Sequence, residues 1–276
     1  MELHLYTVWI GQRQPQRKFL VSVVKRQYKE WFPVRFQANP MQALLLNSSS
    51  RCDVVFVLGD GDGVRAHSCV LEFSCPMLFE LIKQTESSQT KEKEQETRVN
   101  ISGIATGVFR SLLGYAYTAC EPEFVSEAFT MSVLGAANRF NMIDLKLLCE
   151  SVLTYKFLCI DNAADLLVFA DSNCCPLLRE AALKLGAAHR SEFAESDGFE
   201  SVRKSADLLA EVFTTTVPAN DSEKDTKDPE KMSVLALREK LEEYKLDLDG
   251  TRAMLVERLK EHDGTPAKKA RHKDDA

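Results

Sequence analysis

The sequence predicts an α+β fold in which a few short strands come first and helices follow. The run DVVFV at residues 53–57 is almost entirely apolar, and VRAH at residues 64–67 alternates apolar and polar side chains, as strands do. From residue 105 onward, apolar residues recur at the three- to four-residue spacing of helices. Strands grouped before helices are typical of an α+β domain.

The stretch LGDGDG at residues 58–63 separates the two predicted strands. A phosphate-binding loop needs a helix directly after it, and a calcium loop needs oxygen ligands at every second position and a closing glutamate. Here a strand-like segment follows, and Asp60 and Asp62 are the only well-placed carboxylates. Asp-Gly pairs are favoured in tight hairpin turns, so we predict a turn rather than a ligand loop.

The remaining elements of this region follow from its apolar spacing and its prolines. Pro76 is expected to separate two short helices. Residues 83–98 contain no strongly apolar side chain and are predicted to form a solvated loop before a third strand at residues 99–101. Later helices are predicted over residues 105–117, from Glu121-Pro122 to residue 137, and over residues 143–153 and 162–169.

The composition argues against several classes of protein. With 45% hydrophobic and 28% charged residues in a chain of 276, we expect a mostly globular protein of more than one domain. The net charge of −6 argues against nucleic-acid binding by the whole chain. The eight cysteines contain no C-x-x-C pair, which is typical of reduced intracellular thiols. We find neither a run of the ~20 apolar residues that a membrane helix needs nor a signal-peptide pattern.

Residues 1–45 differ from the rest because they carry seven basic and two acidic residues, a balance of +5. A mitochondrial presequence is usually rich in serine, and this segment is not. We therefore favour a poorly ordered or loosely docked extension of unassigned role over a targeting peptide.

Residues 46–155 carry several ordered motifs of one known family. The segments CDVVFVL, AHSCVL, FRSLLGYAYT and AANRF occur in this order over about a hundred residues, and together they resemble the BTB/POZ fold. The resemblance implies a small sheet covered by helices, self-association and recruitment of protein partners. It also implies structural roles for three motif residues, Asp53, His67 and Leu71.

The resemblance further implies contact surfaces for partners. We expect these on the helix that carries Met77, Leu78, Leu81 and Ile82, and on the segment that begins at Phe124. Many BTB proteins are substrate adaptors of cullin-based ubiquitin ligases, and they contact the cullin through an apolar-x-Glu sequence after the third helix. The equivalent stretch, residues 86–88 (ESS), lacks both the apolar residue and the glutamate at the expected places. A cullin adaptor and a chromatin or transcription regulator that only dimerises therefore both remain open.

Residues 156–216 are predicted to be mostly helical and resemble, more loosely, a truncated form of the BACK region that follows many BTB domains. Residues 217–231 form a charged linker with two prolines. Residues 232–263 then form a separate two-helix unit, with Ser233 as the predicted cap of its first helix.

This two-helix unit resembles the SAP motif, mainly through LxxxGTRxxLVxRL at residues 246–259. The family binds the backbone and minor groove of DNA, often A·T-rich, and some members bind RNA. By resemblance, Gly250, Thr251 and Arg252 approach phosphates, and Arg258 and Lys245 add contacts. The alternative is a protein-interaction hairpin. From Met232 onward there are ten basic and ten acidic residues, so we expect weak and strongly salt-dependent binding.

The tail, residues 264–276, contains the basic cluster Lys268, Lys269, Arg271 and Lys273. This pattern fits a short nuclear-import signal and predicts a nuclear protein, with an additional cytoplasmic location left open.

The sequence does not indicate catalysis. The five histidines are far apart, and His67 lies in a core motif where a structural role is expected. The pair Cys174-Cys175 is predicted at a helix start, where burial is the simpler explanation. We therefore expect a non-enzymatic protein, and no motif indicates a cofactor or a metal.

Overall fold

The computed structural model describes residues 52–59, 61, 63–88, 96–215 and 228–264. The basic N-terminal extension, the nuclear-import cluster and most of the charged linker lie outside these residues. The chain divides into two compact units, one up to Phe157 and one from Leu158 onward.

A three-stranded sheet forms one layer of the first unit. It contains β1 (Val54–Leu58), β2 (Gly63–Ala66) and β3 (Thr97–Ile101), in the order β2-β1-β3. The central strand β1 pairs antiparallel with β2 and parallel with β3. Four of the five residues of β1 are buried, which explains its continuous apolar run.

The predicted hairpin between β1 and β2 is confirmed. The backbone N–H of Gly61 donates to the carbonyl of Leu58 over 3.0 Å, and Gly61 has φ of 82°. An L-residue adopts this left-handed conformation at a cost, which explains a glycine at this position. Asp60 and Asp62 lie outside the described residues.

Helices cover the sheet of the first unit. They are α1 (Ser68–Ser74), α2 (Pro76–Ser88), α3 (Thr106–Thr118), α4 (Glu127–Arg139) and α5 (Ile143–Val152), followed by a π-helical turn (Leu153–Phe157). The rings of Phe56 and Phe109 lie 5.1 Å apart, and those of Phe109 and Phe140 lie 6.3 Å apart, both edge to face. This aromatic row joins the sheet to the helices.

Two predicted boundaries in the first unit are wrong. Helix α2 continues to Ser88, because Lys83, Gln84 and Glu86 are good helix formers and Lys83 pairs with Glu80 over 2.9 Å. The hydroxyls of Thr85 and Ser87 donate to carbonyls one turn earlier in the helix. Helix α4 begins at Glu127 rather than at Pro122, because the Ser126 hydroxyl accepts the Phe129 N–H over 3.2 Å and caps the helix there.

The second unit begins with a helical extension, residues 158–215. Its helices are α6 (Ala163–Ser172), α7 (Pro176–Ala188), α8 (Arg190–Glu195), α9 (Phe199–Arg203) and α10 (Ala206–Thr214). Leu167, Ala182, Phe193, Val202 and Leu208 are among the residues of its buried core. On its surface, Arg179 of α7 lies 2.9 Å from Asp171 of α6 and 2.7 Å from Glu211 of α10.

A terminal module, residues 228–264, completes the second unit. It consists of a 3₁₀ turn (Pro229–Lys231), α11 (Val234–Glu243) and α12 (Arg252–Gly264). None of the helices in the described ranges is long and apolar enough to cross a membrane.

Gly198 provides a test of packing in the helical extension. A Cβ at this position would lie 2.5 Å from Cγ of Asp165 and 2.8 Å from its backbone nitrogen. We predict that Gly198→Ala lowers the free energy of unfolding by about 1–3 kcal/mol, because the clash with backbone forces α6 and α9 apart. Chemical denaturation followed by circular dichroism measures this change.

Gly135 is the matched control, since a Cβ there meets no atom within 4 Å and the residue lies inside α4. Gly135→Ala should stabilise the first unit by about 0.5–1 kcal/mol. A Gly198→Ala protein as stable as the wild type would contradict the packing of α6 against α9.

Candidate nucleic-acid interface and partner surface

Asp53 fixes the start of α1. Its Oδ1 accepts the backbone N–H of Ser68 over 2.8 Å, and its Oδ2 accepts the Ser68 hydroxyl. The first N–H groups of a helix have no partner within the helix, and a carboxylate is a favourable acceptor for them. Asp53 therefore joins the start of the sheet to the start of the first helix.

His67 is held by Tyr117 from the middle of the chain. The Tyr117 hydroxyl accepts the His67 backbone N–H over 2.8 Å and lies 3.0 Å from His67 Nδ1. When the Tyr117 hydroxyl donates its proton to Nδ1, the proton of the neutral ring lies on Nε2. Nε2 lies 3.7 Å from the Cys52 sulfur. All these contacts lie within the first unit, and the structural role of His67 stays a prediction.

Tyr117 is fully buried, and burial raises its pKa to about 12, although the hydrogen bond from His67 acts in the opposite direction. Leu71, the third motif residue, is also fully buried, on the inner face of α1. The residues Asp53, His67, Leu71 and Tyr117 thus form the joint between sheet and helices.

The raised pKa of Tyr117 predicts a loss of stability in alkali. An ordinary tyrosine loses its proton near pH 10, so above that pH the unfolded chain is favoured until the folded protein also titrates near pH 12. Below pH 10 the ionisation of tyrosine does not reduce the free energy of unfolding. Between pH 10 and 12 that free energy falls by about 3 kcal/mol, because only the unfolded chain loses the Tyr117 proton. Urea denaturation of the first unit at pH 9 and pH 11.5 measures the difference.

Tyr117→Phe should be less stable at pH 9, because the His67 N–H loses its acceptor, but should lose less stability in alkali. Tyr244→Phe changes a tyrosine of the second unit and should retain the wild-type loss. An equal alkaline loss in Tyr117→Phe and wild type would exclude Tyr117 as its source.

The structure corrects the predicted partner surface. Leu78, Ile82 and Phe124 are buried at 0%, 1% and 5% exposure, so their side chains belong to the core of the first unit. Leu81 is partly exposed, and Met77 is exposed. Positions 78 and 82 of α2 are one turn apart and point inward together. The face of α2 that carries Met77 and Leu81 is the one that reaches solvent.

Two exposed apolar residues of the first unit were not named individually, although Val125 lies in the segment predicted from Phe124 onward. Phe73 is 82% exposed and Val125 is 67% exposed. No local signal identified Phe73 as exposed, because it lies three residues after the buried Val70, a spacing that normally places two residues on the same helix face. Phe73 and Met77 lie at the adjoining ends of α1 and α2.

Residues 86–88, the equivalent of the cullin-contacting stretch, lie in the last turn of α2 rather than in a loop. The Glu86 carboxylate accepts the hydroxyl of Thr97, the first residue of β3, over 3.2 Å. This glutamate is therefore bonded to the adjoining strand.

The terminal module has a small apolar core. Val234, Leu237 and Leu241 of α11 and Leu255 and Leu259 of α12 are fully buried. The Ser233 hydroxyl accepts the Ala236 N–H over 3.3 Å, which confirms the predicted cap. Thr251 caps α12 in the same way, through the Met254 N–H at 3.4 Å.

Two residues of the connection between α11 and α12 have positive φ, 56° at Lys245 and 115° at Gly250. Lys245 therefore occupies a left-handed conformation, which gives a physical reason for the glycine that related motifs often carry there. Its side chain is exposed.

The predicted arginines are bonded to the module itself. Arg252 donates to the carbonyls of Glu230 and Met232 over 2.6 and 2.8 Å. Arg258 donates to the carbonyls of Asp247 and Asp249 and lies 2.9 Å from the Asp247 carboxylate. Both side chains therefore hold, by hydrogen bonds, the segments before α11 and between α11 and α12.

A third arginine, Arg238, was not predicted. It is 4% exposed, and its Nε donates to the Leu248 carbonyl over 3.2 Å. The sequence contained a signal for the burial of Arg238, because this residue lies between Leu237 and Leu241 on the apolar side of α11.

The charge of the module is acidic. Residues 228–263 contain seven basic and ten acidic residues, a balance of −3. Lys260 pairs with Glu230, and Lys231 lies 4.0 Å from Asp228. Most cations of the module therefore contact its own carboxylates or carbonyls.

Within the described ranges, no three His, Cys, Asp or Glu side chains come together as metal ligands would. All eight cysteines have free thiols, and of the vicinal pair Cys175 is buried while Cys174 is exposed.

Comparison with known families agrees with this geometry. The BTB/POZ domain family matches residues 42–157, and the SAP domain family matches residues 228–264. The chain thus contains a BTB/POZ domain with an α+β fold and, near its C-terminus, a SAP domain, as the sequence resemblance predicted.

Relatives share the first of these domains. TD and POZ domain-containing protein 3 of Mus musculus is 30% identical over 163 residues, which are 59% of this chain and 43% of the relative. BTB/POZ and MATH domain-containing protein 4 of Arabidopsis thaliana is 27% identical over 65% of this chain and 40% of its own length. The BTB domain of human gigaxonin aligns with a TM-score of 0.31 and 25% identity over 41% of this chain and 91% of that one. The chain spans less than half the length of these first two relatives.

Proposed function

We propose that this protein is a non-enzymatic adaptor that self-associates and recruits partners through its BTB domain and binds nucleic acid through its SAP domain. The observation that carries the proposal is the presence of both domains in one chain. The BTB domain supplies protein contacts, and the SAP domain gives the assembly a location on DNA or RNA.

Self-association through the BTB domain is supported by its exposed apolar residues. Phe73 and Met77, at the adjoining ends of α1 and α2, expose apolar area that a second copy would cover. Together with partly exposed Leu81, they replace the buried Leu78, Ile82 and Phe124 as the proposed partner surface.

Recruitment of a cullin is the first form of the adaptor proposal. The second candidate is a chromatin or transcription regulator in which the BTB domain only dimerises. The placement of residues 86–88 in α2, with Glu86 bonded to Thr97, favours the second candidate.

One affinity purification tests self-association and separates these two candidates. Cells express the full chain with two different tags, and purification through one tag is followed by detection of the second copy and of cullin. We expect the second copy to be recovered with wild type and lost with Phe73→Asp, because a buried unpaired carboxylate disrupts the contact. Phe213→Asp is the control, since Phe213 is also a large exposed apolar residue but lies in α10 of the second unit.

Recovery of cullin with the wild type supports the ligase adaptor, and its absence supports the regulator. Undiminished recovery of the second copy with Phe73→Asp would contradict the proposed surface.

Nucleic-acid binding by the SAP domain is proposed to use the exposed Lys245 and the start of α12 at Gly250 and Thr251. The free N–H groups of a helix start suit a phosphate. Arg252 and Arg258 contribute by holding the flanking segments in place, as their bonds to backbone carbonyls indicate. The import cluster Lys268, Lys269, Arg271 and Lys273 is proposed to direct the protein to the nucleus.

Lys245→Gly separates folding from binding. Glycine accepts the φ of 56°, so we expect stability to rise by about 1 kcal/mol. Loss of one phosphate contact should weaken DNA binding and reduce the slope of log K against log salt by about 1. Fluorescence anisotropy with an A·T-rich duplex, in a salt series, measures both affinity and slope.

Lys204→Ala, which removes an exposed lysine of the helical extension, is the control and should leave the slope unchanged. Arg252→Glu should reduce both stability and binding, because it breaks two bonds to carbonyls. Wild-type affinity in both Lys245→Gly and Arg252→Glu would exclude nucleic-acid binding at this surface.

A further inference from the structure

The first helix of the SAP domain is capped by a residue of the helical extension. The backbone N–H of Val234, the first residue of α11, donates to Oε2 of Glu180 in α7 over 2.8 Å. These residues are 54 positions apart in the sequence. The bond therefore joins two parts of the second unit that the sequence suggested were separate.

The Glu180 bond supplies an acceptor for a backbone N–H that has none within α11. The Ser233 hydroxyl accepts the N–H of Ala236, which leaves the N–H of Val234 for another acceptor. A carboxylate stabilises this position in two ways. It accepts the hydrogen bond, and it places a negative charge at the positive end of the helix dipole.

Glu180 is held in place for this contact. Its second oxygen, Oε1, lies 2.8 Å from Nζ of Lys184, one turn further along α7. The Glu180 side chain is only 22% exposed. Both carboxylate oxygens thus have partners, and the charge remains paired where water is partly excluded.

The SAP helices also need support beyond their own core. Two short helices bury few apolar residues, and such a unit is marginal alone. Val234 is fully buried and Met232 is 2% exposed, both at the end of α11 that packs against α7. The buried residues at this end and the Glu180 bond lie side by side.

We propose that the helical extension is the docking platform of the SAP helices and that Glu180 stabilises the start of α11 in its docked position on α7. The SAP domain is then fixed on α7 rather than free on the charged linker. Any ligand of the SAP domain is held in one orientation relative to the extension. The proposal does not depend on which ligand binds.

Hydrogen exchange of the full chain, followed by mass spectrometry, tests the coupling. Glu180→Ala should accelerate exchange in peptides from α11 about tenfold, the effect of losing a helix cap worth about 1.4 kcal/mol. Peptides from α6 and α8 should change less than twofold, since the Glu180–Lys184 pair itself contributes little. Glu200→Ala is the control, because Glu200 also pairs with a cation of its own helix, Arg203, but lies on α9.

A second variant keeps the result interpretable if Glu180→Ala loosens the whole unit. Proline is tolerated at the first position of a helix and has no N–H, so Val234→Pro removes the donor. In the Val234→Pro background, Glu180→Ala should have less than a twofold effect, because the bond is already absent.

Unchanged α11 exchange in Glu180→Ala, equal acceleration by Glu200→Ala, or a full tenfold effect in the Val234→Pro background would each overturn the proposal. Nucleic acid is absent from these measurements, so their outcome is independent of the proposed nucleic-acid binding.

Discussion

The backbone N–H groups at the start of a helix must find acceptors, and in both units of this chain a carboxylate from another element supplies one. Asp53 accepts from Ser68 at the start of α1, and Glu180 accepts from Val234 at the start of α11. A local hydroxyl caps a helix wherever it forms, whereas a distant carboxylate caps it only in one tertiary arrangement. The orientation of these helices is therefore tied to elements far away in the sequence.

The same logic explains the joint around Tyr117. Its hydroxyl bonds both the backbone and the ring of His67, which is 50 residues earlier. A buried polar group without a hydrogen-bond partner lowers the stability of the fold. The Tyr117 hydroxyl, the His67 backbone N–H and the His67 ring therefore depend on one another. The Ala-His and Tyr-Thr motifs of the sequence are thus two halves of one hydrogen-bonded joint. An imidazole in this position is fully used by the fold.

The sequence predicted the strands, most long helices and the cap at Ser233, because each has a strong local signal. It failed where a distant contact or a competing cap decides. Ser126 rather than Pro122 starts α4, and the polar residues after Ile82 continue α2 instead of forming a loop. Similarly, apolar spacing identified the helix at residues 77–82 but not which face is buried, so Leu78 and Ile82 were taken for surface residues. The contact of Glu180 with Val234 has no local signal at all.

The arginines of the SAP domain match the motif of the family, but their side chains bond to the domain itself. Three guanidinium groups, those of Arg238, Arg252 and Arg258, bond backbone carbonyls of the same domain. A small core gains rigidity from such bonds, but the charges that remain for a phosphate are few, and the balance of residues 228–263 is −3. The proposed nucleic-acid binding is therefore expected to be weak for a single copy. In the proposed self-associated form, two such domains share one assembly, and the second contact gains from its high effective concentration. Docking of each SAP domain on its extension, as proposed, removes the freedom that the charged linker would otherwise give it relative to α7.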